Sequence, residues 1–163
     1  MTSDFRLIDG TATHVDAAAA IWAEATARRD GEADVAALGL ARPIIQRILD
    51  SSPRAFLPVA LARDDAAVAF AAVAPVEETG ERDAEVHYLG VAPLWWGRGV
   101  GSFLLKGVMG ELKVRGFAQA RLSVYADNPG ALRLYERMGW QVHGVGKIHP
   151  RSGRIEREYR LVL

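Results

Sequence analysis

The sequence predicts an α+β protein built on a mixed sheet, mostly antiparallel with one parallel pair. Three observations carry this. Strand-like and helix-like segments alternate in the order β-α-α-β-β-β-α-β-α-β-β. Successive strands are joined directly by polar turns at Arg63-Asp64-Asp65, at Glu77 to Arg82 and at His149 to Gly153, which makes hairpins and therefore antiparallel neighbours. Only residues 83–125 have the strand–helix–strand form of a right-handed parallel crossover. With 163 residues, half of them hydrophobic, and no linker or repeat, the chain is read as one domain over residues 1–163.

Phe5 to Ile8 opens as a short strand. Thr13 stands where a helix cap belongs, with Asp16 three residues on as its acidic partner. Val15, Ala18, Ala19, Trp22 and Ala25 follow on one helical face to about Arg28, and Asp30-Gly31-Glu32 ends the run. Residues 31–40 fit neither state. A second helix is expected from Arg42 to Leu49 with Pro43 in its first turn. Phe56 to Arg63 and Ala66 to Val76 read as a hairpin, and Asp83 to Val91 as a third strand. A helix from about Gly99 to Arg115 carries Val100, Phe103, Leu104, Val108 and Leu112 on one side, with Gly116 as its C′ glycine. Ala120 to Tyr125 is a strand. Asn128-Pro129 starts a helix reaching Met138, and Trp140 to Ile148 with Arg154 to Leu163 form a closing hairpin.

Composition excludes several classes. Lysine plus arginine balance aspartate plus glutamate at 20 each, so no bulk field draws the chain to nucleic acid or an anionic membrane. There is no cysteine, hence no disulfide, thiolate nucleophile or thiolate-bound metal. His14, His87, His143 and His149 lack metal-ligand spacing, and no metal is expected. The N-terminus lacks a basic segment leading into an apolar core, and the apolar runs are too short to span a bilayer. The expected setting is the cytoplasm.

The most informative stretch is Val91-Ala92-Pro93-Leu94-Trp95-Trp96-Gly97-Arg98-Gly99-Val100-Gly101-Ser102. A strand runs into a loop with three alternating glycines, and a helix follows. Backbone N–H groups at such a helix start form a seat for phosphate. A Walker loop needs Gly-Lys-Ser/Thr, which is absent. A dinucleotide fingerprint needs Gly-x-Gly-x-x-Gly directly after the strand, whereas here Ser102 takes the third position and residues 93–96 intervene. A plain helix entry with turn glycines also fits the loop taken alone.

The downstream residues bear on that choice. Leu122-Ser123-Val124, then Asn128 and Ala131, then Leu134-Tyr135-Glu136-Arg137-Met138-Gly139-Trp140 follow at fixed spacing. Together with Leu89-Gly90-Val91-Ala92-Pro93 and the glycine loop, the chain resembles the GCN5-related N-acetyltransferase superfamily over residues 85–140. That family's loop reads Gln/Arg-x-x-Gly-x-Gly/Ala. Here the first position is Trp96, so the side chain that adds a contact near the pyrophosphate is replaced, with Arg98 as the nearby cation.

The resemblance implies the family's fold: splayed central strands, helices on both faces, and acetyl-CoA as acyl donor to an amine. The backbone from Gly97 through Arg98, Gly99, Val100 and Gly101 to Ser102 would hold the pyrophosphate. Leu89 and Val91 would bind the pantetheine arm as an added strand, with the Leu89 amide polarising the thioester carbonyl. Gly90 would mark a bulge or close approach. Asn128 would cap its helix and contact the arm, and Tyr135 would donate a proton to the departing thiolate. Alternation places Glu85, His87, Leu89 and Val91 on one face, from which Glu85, or His87, would take the amine's proton directly or through water.

The acceptor is expected to be a small-molecule amine, with a peptide N-terminus second; a non-catalytic acyl-CoA sensor is the alternative of another class. Glu24, Asp30, Glu32 and Asp34 give the first helix and its loop an acidic bias, opposed by Arg151, Arg154, Arg157 and Arg160. Trp22, Phe56 and Trp95 are candidate linings of an acceptor pocket. A homodimer is common in the family, and Tyr159 to Leu163 is a strand that could pair across one.

Overall fold

The computed structural model describes residues 4–163. Its elements are β1 (Arg6–Asp9), α1 (Val15–Asp30), α2 (Leu38–Asp50), β2 (Pro58–Leu61), β3 (Ala67–Pro75), β4 (Asp83–Val91), α3 (Val100–Val114), β5 (Gln119–Tyr125), α4 (Pro129–Arg137), β6 (Gln141–Ile148) and β7 (Ile155–Val162). The seven strands form one sheet in the order β1-β2-β3-β4-β5-β7-β6. Every pair is antiparallel except β4–β5, which is parallel. The element order and the single parallel crossover agree with the sequence reading. Among the described residues no helix is long and apolar enough to cross a membrane.

Two apolar clusters cover the two faces. On one, Val100, Leu104, Leu105, Val108 and Leu112 of α3 pack on Val73, Val86, Leu122 and Val124, with Tyr135, Trp140 and Tyr159 beside them. On the other, Ala18, Ala19, Ile21, Ala41 and Ile45 of α1 and α2 pack on Val59, Phe70, Ala72 and Ala74. The run of alanines lets α1 lie close to the sheet. Helix α1 touches β3 and β4, and the adjoining face of β5, β7 and β6 bears polar residues.

Several expectations are corrected. The α1 N-cap is His14, whose side chain bonds Thr13 Oγ1 and not a helix N–H; Asp16 accepts from Arg42 Nε at 2.6 Å, an inter-helix pair in place of the capping box. Helix α2 begins four residues early, because Leu40 and Ala41 N–H both bond Ala37 O, and Pro43 therefore lies inside the helix. Strand β2 is shorter than Phe56 to Arg63, although Phe56 bridges to Val73.

The main correction concerns β4. Opposite β3, Ala72 pairs with Tyr88 but Val73 pairs with Val86, so His87 is an extra residue in a bulge. Side-chain alternation breaks there. Ala84 and Val86, then Leu89 and Val91, face α3, whereas Glu85 pairs with Ala74 and Tyr88 with Ala72 on the α1–α2 face. Glu85 and His87 therefore do not share a face with Leu89 and Val91. The bulge lies at His87 rather than at Gly90. Gly90 is the close approach: a Cβ there would stand 2.8 Å from Phe70 Cε1, on a ring that is fully buried. Gly90→Ala is expected to lower the unfolding free energy by about 1–3 kcal/mol, seen as a lower denaturant midpoint at unchanged m-value.

Candidate functional site

The site begins where β4 and β5 part. Their parallel register covers Asp83 to Val86 against Gln119 to Leu122 and no further, although β4 continues to Val91 and β5 to Tyr125. The edge orientation beyond that point follows from β3. Ala92 N–H bonds Val68 O at 2.8 Å, which makes Ala92–Val68 a hydrogen-bonded rung. Rungs alternate in an antiparallel pair, so Val91 opposite Ala69 and Leu89 opposite Ala71 turn their N–H and C=O groups the other way, into the gap left by β5. Leu89 and Val91 thus present an open strand edge.

At the end of that edge the chain turns through Pro93–Trp95, a single 3₁₀ turn, into the glycine loop. Gly97 and Gly99 have φ of 76° and 80°, a left-handed conformation that side chains disfavour. Among the described residues nothing lies within 4 Å of a Cβ built on either, so the loop surface is open to them. The first bond of α3 runs from Phe103 N–H to Gly99 O, leaving the N–H groups of Val100, Gly101 and Ser102 without helical partners. Val100 itself packs into the core. Left-handed glycines, free amides at the start of a 15-residue helix and a neighbouring open strand edge fit a ligand with a phosphate head and an amide-bearing arm.

Cations flank this cradle. Arg98 lies over the Trp95 ring at 5.0 Å. Arg137 Nη2 donates to Ser102 Oγ at 3.2 Å, bringing a guanidinium from α4 to the first turn of α3. Reading the sequence motif by motif missed Arg137, since its position over the cradle depends on how α4 packs. The signal available was a basic residue in the last turn of the helix that Asn128-Pro129 starts. Trp96 Nε1 donates to Val91 O at 2.7 Å.

Asn128 caps α4, accepting from Ala131 N–H at 3.3 Å, as its place before Pro129 predicted. Tyr135 lies on the α3 side of the sheet, its ring 6.1 Å from those of Trp140 and Tyr159. Burial pushes its phenol up to about 12, so it keeps its proton at neutral pH. Its hydroxyl makes no hydrogen bond among the described residues and is not among the fully enclosed polar atoms, of which Trp140 Nε1 alone lacks a partner there.

On the opposite face, Glu85 Oε1 accepts from Arg121 Nε at 2.8 Å and Glu85 Oε2 lies 2.9 Å from His87 Nδ1. Burial alone would raise the Glu85 carboxyl. The His87 and Arg121 partners outweigh it and hold the group down at about 2. Beyond this cluster, Arg154 ties the β6–β7 hairpin to the rest. It bonds Asp127 at 2.7 Å and Asp30 at 3.1 Å and lies over the Tyr125 ring at 3.9 Å. The acidic bias expected around Asp30 is therefore locally neutralised, Arg29 adding a second pair.

The proposed apolar lining does not come together. Trp22 packs edge-on to Tyr88. Phe56 is buried under Arg115, whose guanidinium carbon lies 3.7 Å from its ring centre. Trp95 packs on Phe5. These residues serve packing in three separate places.

Residues 16–140 match the model of the acetyltransferase (GNAT) family. A mycothiol acetyltransferase of Nocardiopsis dassonvillei is 39% identical over 61 residues, which are 37% of this chain and 18% of that protein; the chain thus spans under a fifth of this curated relative's length. Among solved structures, the ribosomal-protein-S18-alanine N-acetyltransferase of Escherichia coli is similar with a TM-score of 0.71 at 21% identity, over 97% of this chain and 93% of that one. A Salmonella typhimurium protein, yncA, determined with its cofactor acetyl-CoA, has a TM-score of 0.70 at 16% identity, over 98% of this chain and 94% of its own. At these identities the structures speak for the fold.

Proposed function

Because the chain belongs to the acetyltransferase (GNAT) family, we propose that it is an acetyl-CoA-dependent N-acetyltransferase acting on a primary amine by direct attack. The observation that carries this reading is the open edge of β4 at Leu89 and Val91, lying directly beside the glycine turn. Acetyl-CoA, when bound, supplies an acyl carbon activated as a thioester.

The chain's residues divide the remaining work. The N–H groups of Gly97 through Ser102 would hold the pyrophosphate, and Arg98 and Arg137 add positive charge. Leu89 and Val91 would bond the arm along β4, and the Leu89 N–H would polarise the acyl oxygen. Asn128, besides capping α4, would contact the arm. The Glu85–His87 pair would take up the proton of the attacking ammonium at the imidazole, directly or through water, with the Glu85 carboxylate, itself a weak base at about 2, orienting His87 through Nδ1. As the nitrogen–carbon bond forms and the carbon–sulfur bond breaks, Tyr135 would give its proton to the sulfur. Glu85 and His87 lie on the α1–α2 side and Tyr135 on the α3–α4 side. On this reading, proton removal and proton delivery would fall on opposite faces of the sheet.

A small-molecule amine is the proposed acceptor, favoured by the relative named a mycothiol acetyltransferase. A cytoplasmic setting accompanies this reading. Calorimetry with acetyl-CoA, with NAD and ATP as controls, followed by thiol release in a panel of small amines and peptide N-termini, tests it. Selective acetyl-CoA binding with amine-dependent thiol release is the expected result. Binding without turnover on any amine would favour a sensor, and absence of binding would reject the donor. Within the same assay, Arg137→Gln is expected to weaken acetyl-CoA binding about 3- to 10-fold, with a shallower salt dependence than the native chain.

A further inference from the structure

We propose that Trp96 is a positioning residue that couples the two halves of the donor site, holding the glycine turn and the open edge of β4 at one spacing. The inference rests on the donor reading above. Trp96 immediately precedes Gly97, and its indole N–H bonds the Val91 carbonyl at 2.7 Å. One side-chain bond therefore joins the last residue of the strand to the doorstep of the turn. The backbone between them is a tight 3₁₀ turn, with Trp95 N–H on Ala92 O at 2.8 Å and Trp96 N–H on Pro93 O at 3.1 Å. Gly97 and Gly99 follow, the positions with the greatest backbone freedom in this segment.

Two consequences follow from that bond. It takes one of the four polar groups that Leu89 and Val91 turn toward the gap. Leu89 N–H, Leu89 C=O and Val91 N–H stay open, so an added strand ends there and does not slide onward by two residues, about 7 Å. It also makes the distance from edge to turn a fixed quantity. A ligand that reaches both binds through two linked contacts, and the gain from linkage depends on how well the spacing is held. Where the family pattern has Gln or Arg contacting the ligand, this chain has a side chain bonded to its own strand.

The test compares a whole ligand with a part of it. Acetyl-CoA spans edge and turn, whereas 3′-phospho-ADP carries the pyrophosphate without the arm. Trp96→Phe keeps a ring at this half-exposed position and removes only the donor. By calorimetry, the variant is expected to bind acetyl-CoA about tenfold more weakly while its affinity for 3′-phospho-ADP changes less than about twofold, at an unchanged Tm. Equal losses for both ligands would assign Trp96 to the phosphate grip alone and overturn the coupling, as would no loss for either. Failure of the native protein to bind acetyl-CoA would instead reject the donor reading itself.

Discussion

Tyr135→Phe is expected to lower acetyl-transfer turnover by about 10²–10³-fold while leaving acetyl-CoA affinity unchanged. The substitution removes one oxygen from a ring whose other contacts are apolar or aromatic, Trp140 and Tyr159 foremost. That oxygen makes no hydrogen bond among the described residues, so its loss orphans no partner and the fold should tolerate it. A phenol held up at about 12 keeps its proton at neutral pH, the state that a donor to the departing sulfur requires. Steady-state kinetics beside calorimetry separates the two effects. An unchanged kcat would return Tyr135 to a packing role.

The second large effect is at Glu85. Glu85→Gln is expected to reduce kcat by about 10²-fold with little change in donor affinity, because the amide holds neither His87 nor Arg121 by charge. The same carboxylate carries a pH signature in stability. Its folded value, about 2, lies below the ordinary 4.5, so the unfolded chain binds its proton first as pH falls. The stabilisation is therefore fully present above about 4.5 and is lost as the pH drops toward 2. Denaturant titrations across that window should show the native protein and Glu85→Gln converging as the pH falls. A constant difference between them would mean the carboxylate is not held by its two partners. A variant that loses this stability and keeps its full rate would exclude Glu85 from the chemistry.

Much of this was legible in the residues, for identifiable reasons. The glycine turn could be read because positive φ at Gly97 and Gly99 is a local demand that glycine meets wherever it occurs. Asn128 before Pro129 was legible for the same reason, as a cap defined by adjacent residues. The facing of Glu85 was not. It depends on one unpaired residue, His87, and the bulge arises from register against β3, a partner some fifteen positions away whose alanines give no local cue. The start of α2 was missed because Ala37 caps by backbone alone, without the Ser, Thr, Asp or Asn that marks a helix start in sequence. Arg137 and Trp96 were visible as residues, but what they touch is decided by packing between α3 and α4 and by the loop's return onto β4.

The early parting of β4 from β5 has a mechanical meaning as well. The sheet is two leaves, β1 to β4 and β5 to β6, stitched along a register of four residue pairs. Past Val86 and Leu122 the two leaves share no rungs. A molecule laid along the gap would act as a splint, supplying rungs that the polypeptide omits and stiffening both leaves together. Under the donor reading proposed above, occupancy of the gap would therefore raise the free energy of unfolding, seen as a Tm that climbs with acetyl-CoA concentration.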